Sequence, residues 1–201
     1  MKKIDVSQKT DAWHHLRKGK ITGTTLKALM GTPKARQDAV YELIGERLTV
    51  GVDDEENAME RGNRLEPEAI AMFELESGKK VERVGFCEDE TDPMICNSPD
   101  GLIGETEAIE VKCMGAKNHV KLWLKNEIPD EYFWQVIQYF IVNEKLEKLY
   151  FVGYNPDIPL KKMHIIEVKR EDIAPDIATA RIAQEACLQE VNSFLNSVIK
   201  L

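Results

Sequence analysis

A chain of 201 residues that is 43% apolar and 31% charged, with a formal net charge of −8, is expected to fold as one soluble domain spanning residues 1–201, since no Pro/Gly/Ser-rich linker divides it. No apolar run approaches the roughly 20 residues of a membrane helix, and the start Met1-Lys2-Lys3-Ile4-Asp5 lacks a signal-peptide core, so a cytoplasmic location is expected. Cysteines at 87, 96, 113 and 187 form no C-x-x-C pair and read as free buried thiols, which argues against disulfide staples and against a four-thiolate iron–sulfur cluster.

Taken in chain order, Ile21-Thr22-Gly23-Thr24 leads into a short helix ending near Gly31, with hydroxyls at its start and basic neighbours suited to an anion. Residues 35–48 carry Ala39, Val40, Leu43, Ile44 and Leu48 at helical spacing. Residues 53–77 read as a longer helix, or two joined near Pro67, with Leu65, Ala69, Met72 and Phe73 inward and Glu66 beside that stripe. Strands are expected at 80–86, 94–97, 101–104 and 108–113, then helices at 118–126 and 131–143. Two further strands, 148–154 and 161–168, flank the turn Asn155-Pro156-Asp157, and a long helix covers 172–201. Helices, then a mixed sheet, then helices give an α/β or α+β fold.

Charge is segregated along the chain. Residues 52–110 hold 18 Asp/Glu against five Lys/Arg, leaving the remainder at a net +5. Residues 12–37 carry six Lys/Arg and residues 111–126 four, with no acid in either window. Two basic windows around an acidic segment suit a positive groove leading to a metal site, although solvated helix faces produce the same runs.

Within the acidic segment, Asp100 stands ten positions before Glu110, and Glu110-Val111-Lys112 lies in a β-branched run. Strand alternation puts Glu110 and Lys112 on one face, while the turn through Pro99 and Gly101 lets Asp100 close on them from a neighbouring strand. Two hard oxygen ligands with open positions suit Mg²⁺ or Mn²⁺, and a phosphodiester is the matching substrate. Lys112 would hold or polarise the attacking water. A strand pair carrying solvated charges has the same spacing, so the match alone decides nothing. Further on, Gln135, Gln138 and Tyr139 share one helix face, able either to orient a water or phosphate oxygen or to form an interior polar network. His14, His15, His119 and His164 show no metal spacing and read as structural or surface residues.

In order, the Arg17 to Thr24 segment, Glu66, Ser98-Pro99-Asp100, Glu110-x-Lys112 and the Gln135-x-x-Gln138-Tyr139 helix resemble the lambda exonuclease and YqaJ-type viral recombinase branch of the PD-(D/E)XK nucleases. Gly62-Asn63-Arg64-Leu65-Glu66-Pro67-Glu68-Ala69 is similar to that family's first acidic motif, and Trp13-His14-His15-Leu16-Arg17 with Thr24 to its 5′-phosphate segment, where relatives often have serine in place of Thr24. The resemblance implies a restriction-endonuclease-like core with a mixed central sheet flanked by helices. It implies Asp100, Glu110 and the Val111 carbonyl as Mg²⁺ ligands (Mn²⁺ substituting), with Glu66 on a second-metal side. By the same resemblance Lys112 activates water, Gln135 positions the attacked phosphate or the lysine, and Arg17 and Thr24 grip a terminal 5′-phosphate. The implied activity is 5′-to-3′ digestion of one strand of duplex DNA from its ends by a phage- or prophage-encoded enzyme in the bacterial cytoplasm. Implied partners are a second and third copy in a ring-shaped trimer and a single-strand annealing protein. An endonuclease of restriction or repair type and a noncatalytic DNA-binding scaffold are the competing readings.

Overall fold

The structure, a computed structural model, describes residues 1–48 and 59–199. Its elements are β1 (Lys2–Ile4), α1 (Asp11–Arg17), α2 (Gly23–Leu29), α3 (Pro33–Leu48), α4 (Met59–Ser77), β2 (Phe86–Glu88), β3 (Cys96–Asn97), β4 (Gly101–Ile103), β5 (Glu107–Cys113), α5 (Ala116–Lys125), α6 (Asp130–Val142), β6 (Lys148–Tyr154), β7 (Met163–Lys169) and α7 (Ala174–Ile199). The mixed α/β architecture expected from the sequence is borne out. Residues 53–58 of the expected long helix and 200–201 of the tail helix lie outside the described residues.

The main sheet runs β4-β5-β6-β7, antiparallel at β4/β5 and β6/β7 and parallel at β5/β6. A parallel neighbour requires a crossover, which α5 and α6 supply. Strand alternation sorts the side chains of this sheet onto two cores. Ala108, Leu149, Phe151 and Val168 pack on one face with α2, α3, α6 and α7. Ile109, Val111, Tyr150, Val152 and Tyr154 pack on the other with Leu65, Ala69, Ile70 and Phe73 of α4. Helix α6 is buried continuously from Val136 to Val142, as an element apolar on nearly every side must be.

Of the two readings of the helix near Pro67, the single one holds: α4 runs through Pro67 without dividing. Two local expectations change. Residues 80–85, expected as strand, pair only at Glu82, which exchanges two hydrogen bonds with Leu102, and the strand proper begins at Phe86. The backbone there is held instead by a close approach, since a Cβ on Gly85 would sit 1.7 Å from the Val6 carbonyl oxygen. Strand β1 and helix α1 were not anticipated; β1 is three residues long and draws its definition from pairing with β2, and α1 is capped by the Thr10 hydroxyl on Trp13 N–H. A smaller sheet, β1-β2-β3, results. No disulfide joins the four cysteines; Cys87, Cys96 and Cys187 are buried as expected, whereas Cys113 at the end of β5 is half-buried, and no described helix is long and apolar enough to cross a membrane. His119 is buried with Nε2 against the Lys161 carbonyl at 2.7 Å, and His164 bonds Asn126 at 2.8 Å.

Candidate active site

Strand β4 is shorter than β5 and pairs with it only from Ile103 back to Gly101, opposite Ile109. Beyond that point the ladder is continued by a side chain: Asp100 Oδ2 accepts the Val111 N–H at 2.7 Å. A strand residue projects its N–H and C=O to the same edge, so the Val111 carbonyl also faces the edge that β4 leaves open, beside Asp100. Glu110 and Lys112 turn to the opposite face from Val111, toward α6, where Glu110 is fully buried.

Helix α6 closes over them. Gln135 Nε2 donates to Glu110 Oε1 at 2.6 Å, the Lys112 ammonium pairs with the same oxygen, and the Tyr139 hydroxyl donates to Oε2. The same hydroxyl accepts the Asp100 N–H at 3.1 Å, tying both acidic positions to one phenol. Lys112 Nζ also lies 5.0 Å from the Tyr132 ring centroid. Of the roughly four lone-pair sites on a carboxylate, Glu110 spends three on these donors, and Asp100 spends one on Val111 N–H.

The charges explain one another. Burial pushes the Asp100 carboxyl well above the ordinary carboxylate range, and repulsion from Glu110 and, more weakly, Glu66 adds to this against the pull of Lys112. Burial opposes the charge on Lys112, but Glu110 and Asp100 outweigh it and hold the ammonium firmly protonated. Tyr139 is pushed well above the usual phenol value by burial and then by Glu110, so it serves as a donor.

Of the three amide and phenol groups on the α6 stripe, Gln135 and Tyr139 reach the acids, whereas Gln138 takes the structural role. Gln138 Nε2 bonds the Ile21 and Cys96 carbonyls at 3.1 and 3.0 Å and its Oε1 accepts from Gln184 on α7 at 2.6 Å. Glu66 is buried on α4, the helix on the Val111 face, and its carboxylate is taken by Arg83 at 2.6 Å and Lys9 at 3.4 Å. Among the described residues, no three His, Cys, Asp or Glu side chains are grouped to hold a metal ion. Arg17 Nη1 donates to the Ser98 hydroxyl at 2.7 Å, two residues before Asp100, and its guanidinium lies 4.4 Å from the Trp13 ring centroid. Trp13 Nε1 donates to the same hydroxyl at 3.0 Å, so Ser98 gathers two donors at the rim of the site. Thr24 is exposed on the first turn of α2, next to Gly23, which packs directly against Gln135.

A model of the YqaJ-like viral recombinase domain matches residues 12–145, which run from α1 through α6 and contain every group just described except Lys9 and Gln184. The chain belongs to this family. An alkaline exonuclease from Laribacter hongkongensis is 30% identical, with 95% of this chain and 97% of that one covered at a TM-score of 0.86. The same enzyme in complex with dAMP is 29% identical over the same coverage, again at 0.86. A phage-related exonuclease from Haemophilus somnus 129PT is 17% identical, covers 87% of this chain and 96% of its own, and shares the fold at 0.65. None of the curated proteins matches the chain. The PD-(D/E)XK core expected from the motif order is therefore the fold of this YqaJ-family domain.

Sequence reasoning missed Tyr132, Lys9 and Arg83. Tyr132 had a signal, because it precedes Gln135 by one helical turn on the same face. Lys9 and Arg83 had none: each meets Glu66 from a remote segment, Lys9 from a turn and Arg83 from the stretch before β2.

Proposed function

We propose that this YqaJ-family chain is a Mg²⁺-dependent double-strand DNA exonuclease of phage-type recombination, hydrolysing phosphodiesters 5′ to 3′ from a 5′-phosphorylated end and leaving 3′ single strands for an annealing protein. The observation that carries the reading is the pairing of the half-buried Asp100 with the fully buried Glu110 and with Lys112, joined through Val111 N–H and closed by Gln135 and Tyr139. Exonuclease relatives at about 30% identity over nearly the whole chain support the reaction class. The mononucleotide held by one of them is of the kind this hydrolysis releases.

The donor set fits a hard divalent cation. It is all oxygen, and it has unspent lone pairs on both acids. Asp100, Glu110 and the Val111 carbonyl would hold Mg²⁺ or Mn²⁺, with Glu66 on the side of a second ion. When bound, such an ion supplies Lewis-acid charge at the phosphate oxygens and acidifies water. Lys112, kept protonated, donates to the reacting phosphate or water and counters developing negative charge. Gln135 and Tyr139 fix the rotamer of Glu110. Arg17, aimed by Ser98 and Trp13, and Thr24 receive the terminal phosphate. A closed trimeric ring would retain the duplex between cuts without strong contacts.

The test is a linear duplex with a 5′-phosphate at one end only and a label on each strand, incubated with Mg²⁺ or with EDTA beside a covalently closed circle. The phosphorylated strand should shorten from its 5′ end in Mg²⁺ alone, with the circle intact. Cutting of the circle would instead establish an endonuclease.

A further inference from the structure

On the α4 side of the site, a groove of about 550 Å³ runs between residues 3–9 and residues 82–85. Its inner end is fastened to the catalytic turn, because Gln8 Nε2 donates to the Pro99 carbonyl at 2.8 Å and to Val84 O at 3.4 Å. Lys9 holds a left-handed backbone, φ 66°, a conformation rare for a side-chain-bearing residue and kept only where the surroundings impose it. From that position its ammonium meets Glu66 Oε2, while Arg83 from the facing wall takes Oε1. The exposures are unequal: the side chain of Glu66 is 12% exposed, those of Lys9 and Arg83 33% and 51%. The acid therefore faces inward and both cations face the groove. Elsewhere in the groove Lys3 is paired with Glu82, and Asp5 is the remaining acid.

We propose that Lys9 and Arg83 form an exchangeable clasp on Glu66, released when a backbone phosphate of DNA in this groove takes the two cations. The inference rests on the nuclease reading above. Two monovalent cations bring Glu66 the same +2 charge as one divalent ion would, so clasped Glu66 and metal-facing Glu66 are alternative ways to neutralise this acid. With the clasp closed, Glu66 is spent on Lys9 and Arg83, and among the described residues no three acids are grouped to hold a metal ion. Substrate that occupies both cations frees the acid, coupling DNA binding to assembly of the second-metal side. By linkage the coupling is reciprocal.

The experiment is calorimetric titration of the full chain with Mn²⁺, alone and with a phosphorothioate duplex that resists cleavage, for the parent and for Lys9→Gln/Arg83→Gln. The double variant should bind Mn²⁺ about tenfold more tightly than the parent without DNA, and should gain less from adding the duplex. Its DNA affinity should show a salt slope shallower by about one to two, the loss of up to two phosphate contacts. Arg83→Lys should behave as the parent. If the double variant does not fold, Lys9→Gln alone, at a partly exposed side chain, should shift both readouts in the same direction by less. Unchanged Mn²⁺ affinity and salt slope in a folded variant overturn the clasp while leaving the nuclease reading intact. A parent that binds no Mn²⁺ and degrades no DNA overturns both. A response to inorganic phosphate as large as the response to duplex overturns the assignment to a polynucleotide.

Discussion

Glu110 shows how a charge is kept in a core. It is fully buried, yet three donors from two elements satisfy it, so its removal should affect chemistry and packing differently. Glu110→Gln keeps the shape but cannot accept from Gln135, Lys112 and Tyr139 as a carboxylate does. Cleavage should fall by at least about 10²- to 10³-fold, while duplex binding in a filter or gel-shift assay stays measurable. Asp100 gives a pH signature. Its folded-state value lies above the ordinary carboxylate value, so between the two the folded chain binds more protons than the unfolded one, and stability declines as pH rises through that window. In EDTA, Asp100→Asn should therefore melt above the parent at about pH 8, with the gap closing toward about pH 4, near the ordinary aspartate value. Parallel melting curves across that range would contradict the burial and repulsion described here.

At the scale of elements, the site depends on two mismatches. Strand β4 stops early, which exposes the edge at Val111 and gives Asp100 a place in the ladder. Helix α2 lies unusually close to α6, because a Cβ on Gly23 would stand 3.0 Å from Gln135 Cγ and 3.1 Å from its Cα. Gly23→Ala should push α2 off Gln135, costing about 1–3 kcal/mol by overpacking and lowering kcat together with thermal stability. Gly45→Ala in α3, where a Cβ meets nothing within 4 Å, should instead stabilise by about 0.5–1 kcal/mol. Melting temperatures of the two variants, read beside cleavage rates, separate the effects.

For the whole molecule, an ion that binds the folded chain and not the unfolded one must raise its stability, by about 2.7 kcal/mol at a hundred times its Kd. Mn²⁺ should raise the melting temperature of the parent and leave Asp100→Asn nearly unmoved. Much of this was legible in the amino-acid order. Period-two alternation set Glu110 and Lys112 on one face and Val111 on the other, and helical spacing set Gln135, Gln138 and Tyr139 on one face of a helix at 131–143, because both follow from local backbone geometry. The order of acidic, basic and amide motifs fixed the family. What the tertiary structure decided lies between distant segments. It assigned Gln135 and Tyr139 to Glu110 but Gln138 to the Ile21 and Cys96 carbonyls, since three neighbours on one helix face meet different partners only after packing. It joined Glu66 to Lys9 and Arg83, separated from it by 57 and 17 residues. Electrostatic pairing acts through space, and spacing along the chain carries no record of which distant segment will pass within reach of a buried charge.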